Sequence, residues 1–188
     1  MKVSVLLDTS FLISLNNSSS NRPNHNIASQ YYKYLLEHKI PIYFSTIVAA
    51  EFGIKEAITD LPLRNFRIIP FNITHSIEAA HIGNLLNGHD TGDNRSVVRD
   101  DVKIIAQALH EKIPLILTED ANTFYKYCER LRTLHHLNIR AVKLVDGFDS
   151  SALSLDGQTN IDGFGILHSS VYTFSNYRRV VLSVSGYG

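Results

Sequence analysis

The stretch that decides the fold is VSVLLDTSFLI, residues 3–13. Its first five residues form a short apolar run of the kind found in a buried strand, and the run stops at Asp8. Similar short runs recur further along the chain, at 42–44, 66–71, 115–117 and 139–145. Helical patterns separate them, and strands that alternate with helices need crossover connections. The sequence therefore predicts a three-layer α/β fold, with a mainly parallel central sheet and helices on both faces.

The segments between these strands carry the helical period or turn-forming residues. Helices are predicted at 27–38, 46–58, 74–87, 97–112 and 122–136. The low-complexity stretch NNSSSNRPNHN, residues 16–26, and the stretch 88–95 are predicted to be loops, because the first is rich in Asn and Ser and the second in Gly and Asp.

Composition excludes several classes of protein. The 188 residues contain 18 Lys and Arg and 18 Asp and Glu, so the chain is neither a histone-like polycation nor an acidic tail. The single cysteine, Cys128, excludes an intramolecular disulfide framework and a multi-cysteine zinc site. The N-terminal apolar run is too short for a membrane span and lacks the flanks of a signal peptide. We therefore expect a globular, cytoplasmic protein that does not enter the membrane.

The character of the sequence changes after Asp146. Six of the ten glycines lie between residues 147 and 188, and no helical period continues there. We predict one domain at 1–146 and a Gly/Ser-rich C-terminal extension at 147–188. The runs 166–174 and 177–184 are candidate strands, so the extension is either a β-hairpin or a partner-binding arm.

Two acidic residues follow predicted strands directly. Asp8 ends the first strand, and Asp120 closes the motif LILTED after the strand at 115–117. Parallel α/β sheets bind their ligands outside the carboxyl ends of the strands. Taken singly, each Asp is more often a turn former or a helix cap than a ligand, so neither is decisive alone.

A third acid, Glu51, lies on a helical face that the pattern predicts to be apolar. In the helix 46–58, Ile47, Ile54 and Ile58 define a stripe, and Glu51 falls within about 40° of its centre. An acid on a core-facing stripe is costly unless it is paired, hydrogen-bonded or bound to a metal. Glu51 alone is equally compatible with a pair to a distant Arg.

The helix at 97–112 carries two neighbouring acids that the helical wheel separates. Its apolar stripe consists of Val98, Val102, Ile105 and Leu109. Asp101 lies about 70° from the centre of this stripe, and Asp100 lies more than about 150° away. Asp101 alone is compatible with the water boundary of the helix. The conjunction of two strand-end acids and two helical acids indicates a site where one hard divalent cation satisfies several carboxylates.

Four motifs, in their order and spacing, resemble the PIN-domain nucleases. They are LLDTSFLI (6–13), AAEFGI (49–54), RDDVKIIAQAL (99–109) and LILTED (115–120) followed by a helix. The resemblance covers residues 2–145 and is strongest to the VapC-type toxin ribonucleases of VapBC toxin–antitoxin pairs.

The resemblance assigns roles to particular residues. The acidic quartet expected to bind metal and to catalyse is Asp8, Glu51, Asp101 and Asp120. Ser10 and Thr118 match the small hydroxyl positions that hold the site by hydrogen bonding. Asp100 is a neighbour of the quartet. Asn122 stands where many members carry a further acid, which makes a second tightly bound metal less expected.

The activity implied by the resemblance is metal-dependent hydrolysis of RNA phosphodiester bonds, with Mg²⁺ or Mn²⁺ on the quartet. A toxin of this kind would have an antitoxin protein as partner and would form a homodimer. Two alternatives stay open: a solitary RNA-processing nuclease, and a catalytically silent PIN-like module that binds RNA or protein. A phosphotransferase of the haloacid-dehalogenase type also begins with Asp after its first strand. It needs a second Asp two residues later, where this chain has Ser10.

Overall fold

The computed structural model describes residues 3–16, 22–87 and 95–154, and only the backbone of 95–99. The candidate strands at 166–174 and 177–184 lie outside these residues. The predicted division of the chain at residue 146 therefore stays a prediction.

The described residues form five strands and six α-helices. In chain order they are β1 Val5–Leu7, α1 Thr9–Asn16, α2 His25–Glu37, β2 Ile42–Ser45, α3 Thr46–Lys55, β3 Arg67–Ile69, α4 Ile73–Asn87, α5 Arg95–His110, β4 Leu115–Thr118, α6 Phe124–His135 and β5 Arg140–Lys143. Short 3₁₀ turns occur at Ile58–Asp60, Leu63–Asn65, Leu144–Asp146 and Ser150–Leu153. Within the described ranges, no helix is both long and apolar enough to cross a membrane.

All five strands are parallel and form one sheet in the order β3-β2-β1-β4-β5. The first strand lies in the middle, where Val5 is in register with Ile42 on one side and Leu115 on the other. The chain moves outward from β1 to β3 and then returns past β1 to β4. The helix α1 contacts α2, and α4 contacts both α5 and α6. The right-handed rule for crossovers between parallel strands assigns these two groups to opposite faces of the sheet. The predicted three-layer α/β fold is confirmed.

The central strands are buried on both faces, which explains why they read as continuous apolar runs. Every residue of β1 is fully buried, and Leu115, Ile116 and Leu117 of β4 are at most 1% exposed. Parallel sheets covered by helices on both sides produce this pattern instead of the alternation of half-exposed strands. The end of β1 is therefore anchored in strands that are buried on both faces.

One helix was not predicted. The segment at Thr9–Asn16 is α1, although the sequence analysis placed no helix there and began a loop at residue 16. Phe11, Leu12 and Ile13 are all buried, so the helix is apolar on most of its circumference. A short helix of this kind has no amphipathic period and cannot be distinguished from a strand by pattern.

The predicted apolar stripe of the third helix is wrong. The helix α3 ends at Lys55, and Glu56 has extended backbone angles, so Ile58 lies beyond its end. The residues that α3 buries are Val48 and Phe52, whereas Ile54 is 84% exposed. The isoleucines suggested the wrong face because apolar residues also occur singly on protein surfaces.

The described residues after β5 pack against the body of the domain. The Tyr31 hydroxyl of α2 donates a hydrogen bond to the Gly147 carbonyl at 3.1 Å, and the Asp149 amide donates to the Tyr31 oxygen at 3.1 Å. Gly147 has a φ of 87°, a left-handed conformation that favours glycine. Arg140 donates to two carbonyls of this segment. Residues 147–154 therefore continue the packed structure past the predicted boundary.

Candidate active site

The candidate site lies at the carboxyl edge of the sheet, where two neighbouring strands end. Asp8 follows β1 directly, and its amide donates to the Leu117 carbonyl of β4 at 3.0 Å. The chain leaves β4 through Thr118, the last residue of that strand, and reaches Asp120 two residues later. The parallel register therefore brings these two segments side by side at the edge where α/β proteins bind their ligands.

The Asp8 carboxylate is buried and held by hydroxyl groups. Its Oδ2 accepts hydrogen bonds from the Ser10 hydroxyl at 2.6 Å and from the Thr118 hydroxyl at 2.8 Å. Burial raises the pKa of Asp8, while the hydrogen bonds from Ser10 and Thr118 act in the opposite direction. The two hydroxyls fix the orientation of Oδ2 and stabilise the charged form.

The Asp120 carboxylate lies at the start of α6 and accepts hydrogen bonds from the backbone there. Its Oδ1 accepts from the Asn122 amide at 2.7 Å and from the Thr123 amide at 2.9 Å. The Asp120 amide in turn donates to the Thr118 hydroxyl oxygen at 3.0 Å. Asn122 is exposed, and the hydrogen bond described here comes from its backbone. Asp120 thus holds the turn between β4 and α6 and lies on the segment that the parallel register brings beside Asp8.

Glu51 of α3 reaches this region across the fold. Its Oε2 accepts a short hydrogen bond from the hydroxyl of Thr9, the first residue of α1. Burial raises the pKa of Glu51, and the charges of Asp8 and Asp100 raise it further. Thr9 is a contact that the sequence analysis missed, although its position beside Asp8 was a signal.

Asp101 of α5 has the least hydrogen-bond support of the four acids among the described residues. Its Oδ2 is buried and has no hydrogen-bond partner among the described residues. Burial raises its pKa to about 8, with smaller contributions from the charges of Asp8, Asp120 and Glu51. Asp101 therefore lies within electrostatic range of the other three predicted acids.

Asp100, the neighbour of Asp101, has a different environment. Its carboxylate forms an ion pair with Lys103 at 2.7 Å, and its side chain is 37% exposed. Its charge still raises the pKa of both Glu51 and Asp101. Asp100 therefore lies at the margin of the cluster, with a cationic partner of its own.

Comparison with known proteins identifies the family. Residues 5–130 match the sequence model of the PIN domain. The chain belongs to the PIN domain family. The prediction made from the four sequence motifs is thereby confirmed, and PIN domains are generally nucleases. No curated protein matches the chain in sequence.

Solved structures with a similar fold include FitAcB and VapBC2. The crystal structure of FitAcB from Neisseria gonorrhoeae matches with a TM-score of 0.54 and 18% identity, over 75% of this chain and 98% of that one. VapBC2 from Rickettsia felis, bound to a DNA fragment from its promoter, matches with a TM-score of 0.50 and 17% identity, over 75% and 98% of the two chains. At these identities the similarity establishes the fold of this PIN domain alone.

The carboxylate chemistry of the acidic cluster in this PIN domain suits a hard divalent cation. Among the described residues, no three of these carboxylates have ligand oxygens within 4.8 Å of one another, so the side chains would have to draw together around an ion. Within the described side chains, no ion pair joins Asp8, Glu51, Asp101 or Asp120 to a Lys, Arg or His. Four carboxylates without a cation, one of them with an unpartnered buried oxygen, form an unfavourable arrangement. Carboxylate oxygens are the ligands that Mg²⁺ and Mn²⁺ prefer.

A fifth acid, Glu119, supports this edge of the PIN domain without belonging to the quartet. Its carboxylate accepts hydrogen bonds from the Ser14 hydroxyl at 2.7 Å and from the Asn24 side-chain amide at 2.5 Å. Its backbone amide donates to the Ser10 hydroxyl oxygen at 2.8 Å. Glu119 thus connects the end of β4 to α1 and to the start of α2. The sequence analysis missed this role, since no local pattern relates residues 14, 24 and 119.

Proposed function

We propose that this PIN domain is a metal-dependent ribonuclease that hydrolyses RNA phosphodiester bonds. Asp8, Glu51, Asp101 and Asp120 would bind Mg²⁺ or Mn²⁺ and form the catalytic centre. The observation that carries the proposal is the buried, unpartnered Oδ2 of Asp101 among three other carboxylates. Such a cluster destabilises the fold unless a cation binds there, so its presence on this edge is best explained by metal binding.

The residues of the cluster have separate tasks in this proposal. A bound divalent ion would supply Lewis-acid chemistry, activating water and neutralising charge on the phosphate. Asp8 is oriented by Ser10 and Thr118, and Asp120 by backbone amides of the α6 start, so both keep fixed oxygens. This orientation lowers the entropy lost when ligands gather around a cation.

Glu51 and Asp101 complete the cluster from α3 and α5. The Thr9 hydroxyl orients one oxygen of Glu51. Asp101 has the pKa of about 8, so in the metal-free protein at neutral pH it holds a proton. Binding of a cation would favour release of that proton, and metal affinity would therefore rise with pH.

RNA as the substrate class, and a role as the toxin of a toxin–antitoxin pair, are proposed on the resemblance to VapC-type toxins. The structural similarity to VapBC2 supports this context, because VapBC2 carries the name of the VapBC pairs to which the sequence motifs point. An antitoxin protein as partner, a homodimeric state and a cytoplasmic location belong to the same proposal. A solitary RNA-processing nuclease is the alternative if no antitoxin gene adjoins this one.

The test is cleavage of a dual-labelled single-stranded RNA by the full-length protein with Mn²⁺, with Mg²⁺ and with EDTA. We expect Asp8→Asn and Asp101→Asn to lose at least about 100-fold in rate, because each removes a charged ligand oxygen. Asp100→Asn is the matched control on the same helix and should retain most of the activity, because its carboxylate already pairs with Lys103.

Four results would contradict the proposal or one of its assignments. Full cleavage by Asp8→Asn would remove the quartet from the mechanism, and cleavage in EDTA would remove the metal. Equal losses in Asp100→Asn and Asp101→Asn would mean that Asp100 also acts in the site. Saturable Mn²⁺ binding without cleavage of any RNA would favour the catalytically silent binding module instead.

A further inference from the structure

A second group of metal-ligating side chains lies outside the acidic cluster. His75 is the third residue of α4, His110 is the last residue of α5, and Glu111 follows it. The two helices pack against each other, which brings the start of α4 to the end of α5. One ligand atom from each of the three residues lies within 4.8 Å of the others. The proposed nuclease activity uses none of these residues.

We propose that His75, His110 and Glu111 form a binding site for a borderline first-row divalent cation, with Zn²⁺ as its best representative. Two imidazoles and one carboxylate are a ligand set that Zn²⁺ takes in proteins, with a fourth tetrahedral position left for water. Mg²⁺ and Mn²⁺ prefer oxygen ligands, so the two clusters are expected to select different metals.

The distances require only a small adjustment for such an ion. His75 Nε2 and Glu111 Oε1 are 2.9 Å apart. Two ligands at about 2.0–2.1 Å from a tetrahedral ion lie about 3.4 Å from each other, so this pair would separate by about half an ångström. The His75 and His110 rings meet edge to face, with centroids 4.9 Å apart. The Thr74 hydroxyl lies 3.4 Å from His110 Nε2, at the long limit of a hydrogen bond.

The ligands differ in how freely they can move. The His75 side chain is 1% exposed, so its ring is fixed by packing. The Glu111 side chain is 37% exposed, and His110 is exposed as the final residue of its helix. An ion can therefore enter from solvent and bind the fixed imidazole of His75. Rotation of the exposed His110 and Glu111 side chains is then enough to complete the site.

The ring of His75 makes two hydrogen bonds that a cation bound at Nε2 would replace. The Asn72 amide donates to Nδ1 at 3.2 Å, so in the metal-free protein the ring proton is on Nε2 and is donated to Glu111. The cation takes the Nε2 lone pair, and the ring proton moves to Nδ1, with no net proton release from His75. The backbone amide of Asn72 then loses its acceptor and donates a hydrogen bond to water instead, which its exposed position permits. This exchange weakens binding by about tenfold, and we expect a micromolar site rather than a nanomolar one.

The experiment is a Zn²⁺ titration followed by calorimetry, with full-length, untagged protein carrying Asp101→Asn to weaken the acidic cluster. His110→Ala is added as the test variant, and His81→Ala is the matched control, an exposed histidine on α4. Loss of a partner that only orients a metal ligand costs about 10–100-fold in affinity, so loss of the ligand His110 should cost at least that. His81→Ala should bind as tightly as its parent. A 100-fold excess of Zn²⁺ over Kd should raise the melting temperature by about 5–10 °C, in the parent and in His81→Ala only.

Nitrogen NMR of the imidazoles provides a readout that folding defects do not imitate. Zn²⁺ should shift the Nε2 resonance of His75 and move its proton to Nδ1, while the His81 ring stays unchanged. The proposal is overturned if the parent shows no saturable Zn²⁺ binding, or if His110→Ala binds as tightly as the parent. Equal losses in His110→Ala and His81→Ala would also overturn it, because they would show non-specific binding to surface histidines. Since RNA cleavage is not measured, failure here leaves the proposed nuclease activity unaffected.

Discussion

Replacing Asp101 with Asn should stabilise the metal-free protein at neutral pH. Asp101 has a pKa of about 8 in the folded chain, raised first by burial and then by the neighbouring acids, against an ordinary value of 3.8. In the unfolded chain the group loses its proton near pH 4, while in the folded chain it keeps the proton until about pH 8. The contribution of Asp101 to stability is therefore complete below pH 4 and is lost as the pH rises toward 8.

The size of this effect follows from the difference between the two pKa values. Each unit corresponds to about 1.4 kcal/mol, so at pH 7 the upper limit is about 4 kcal/mol. Local rearrangement and water entry reduce it, and we expect about 2–4 kcal/mol, or about 4–16 °C in melting temperature for a chain of this size. Asn has the size of the protonated acid and stays neutral, so Asp101→Asn removes the pH-dependent loss.

The assay is thermal unfolding of wild type and Asp101→Asn in EDTA, from pH 4.5 to pH 8.5. The stability advantage of the variant should be near zero at the acidic end, increase with pH and level off above about pH 8. Saturating Mn²⁺ should reverse the order at pH 7.5, since the cation binds the wild-type cluster more tightly. Parallel pH profiles for the two proteins in EDTA would refute the assignment of the raised pKa to Asp101.

Two further predictions concern the hydrogen bonds around the quartet. Glu119→Gln keeps the acceptor for Ser14 but places an amide opposite Asn24, so we expect about tenfold weaker Mn²⁺ binding by calorimetry, from a looser Asp8–Asp120 spacing. Unchanged Mn²⁺ affinity with a lower melting temperature would show that Glu119 contributes to fold stability and not to metal binding. Thr9→Val removes the hydroxyl that orients Glu51 and should weaken Mn²⁺ binding by about 3–10-fold with little change in fold stability; affinity equal to wild type would show that Glu51 needs no such support.

The topology was predictable because its signals are local. Buried parallel strands are short apolar runs in the sequence. The helical patterns and turn residues between these runs indicate the crossover connections. The positions of Asp8 and Asp120 follow from the same signals, since each acid directly follows a strand and parallel strands end at one edge. The helix α1 was not predicted, because a short and mostly buried segment has no clear amphipathic period.

The placement of Glu51 illustrates what the helical wheel could not supply. The stripe through Ile47, Ile54 and Ile58 that suggested its burial is wrong, yet Glu51 lies with the other acids. Its environment is set by Thr9, which is 42 positions away along the chain. The contact between Ser14 and Glu119 spans 105 positions. Pairings at such separations depend on how helices pack on the sheet, and a single sequence carries no pattern for them.

The four acids differ in the hydrogen bonds that their carboxylates accept, and this difference affects metal binding. Asp8 and Asp120 accept hydrogen bonds from hydroxyl and amide donors, which fix the orientation of their carboxylates before any cation arrives. Asp101 receives no such donor among the described residues. A cluster in which all four carboxylates were charged would be destabilised in the metal-free protein by the repulsion between them. Leaving one carboxylate buried and protonated keeps the total charge low in the metal-free protein, and the cation then gains a full new ligand by displacing a single proton.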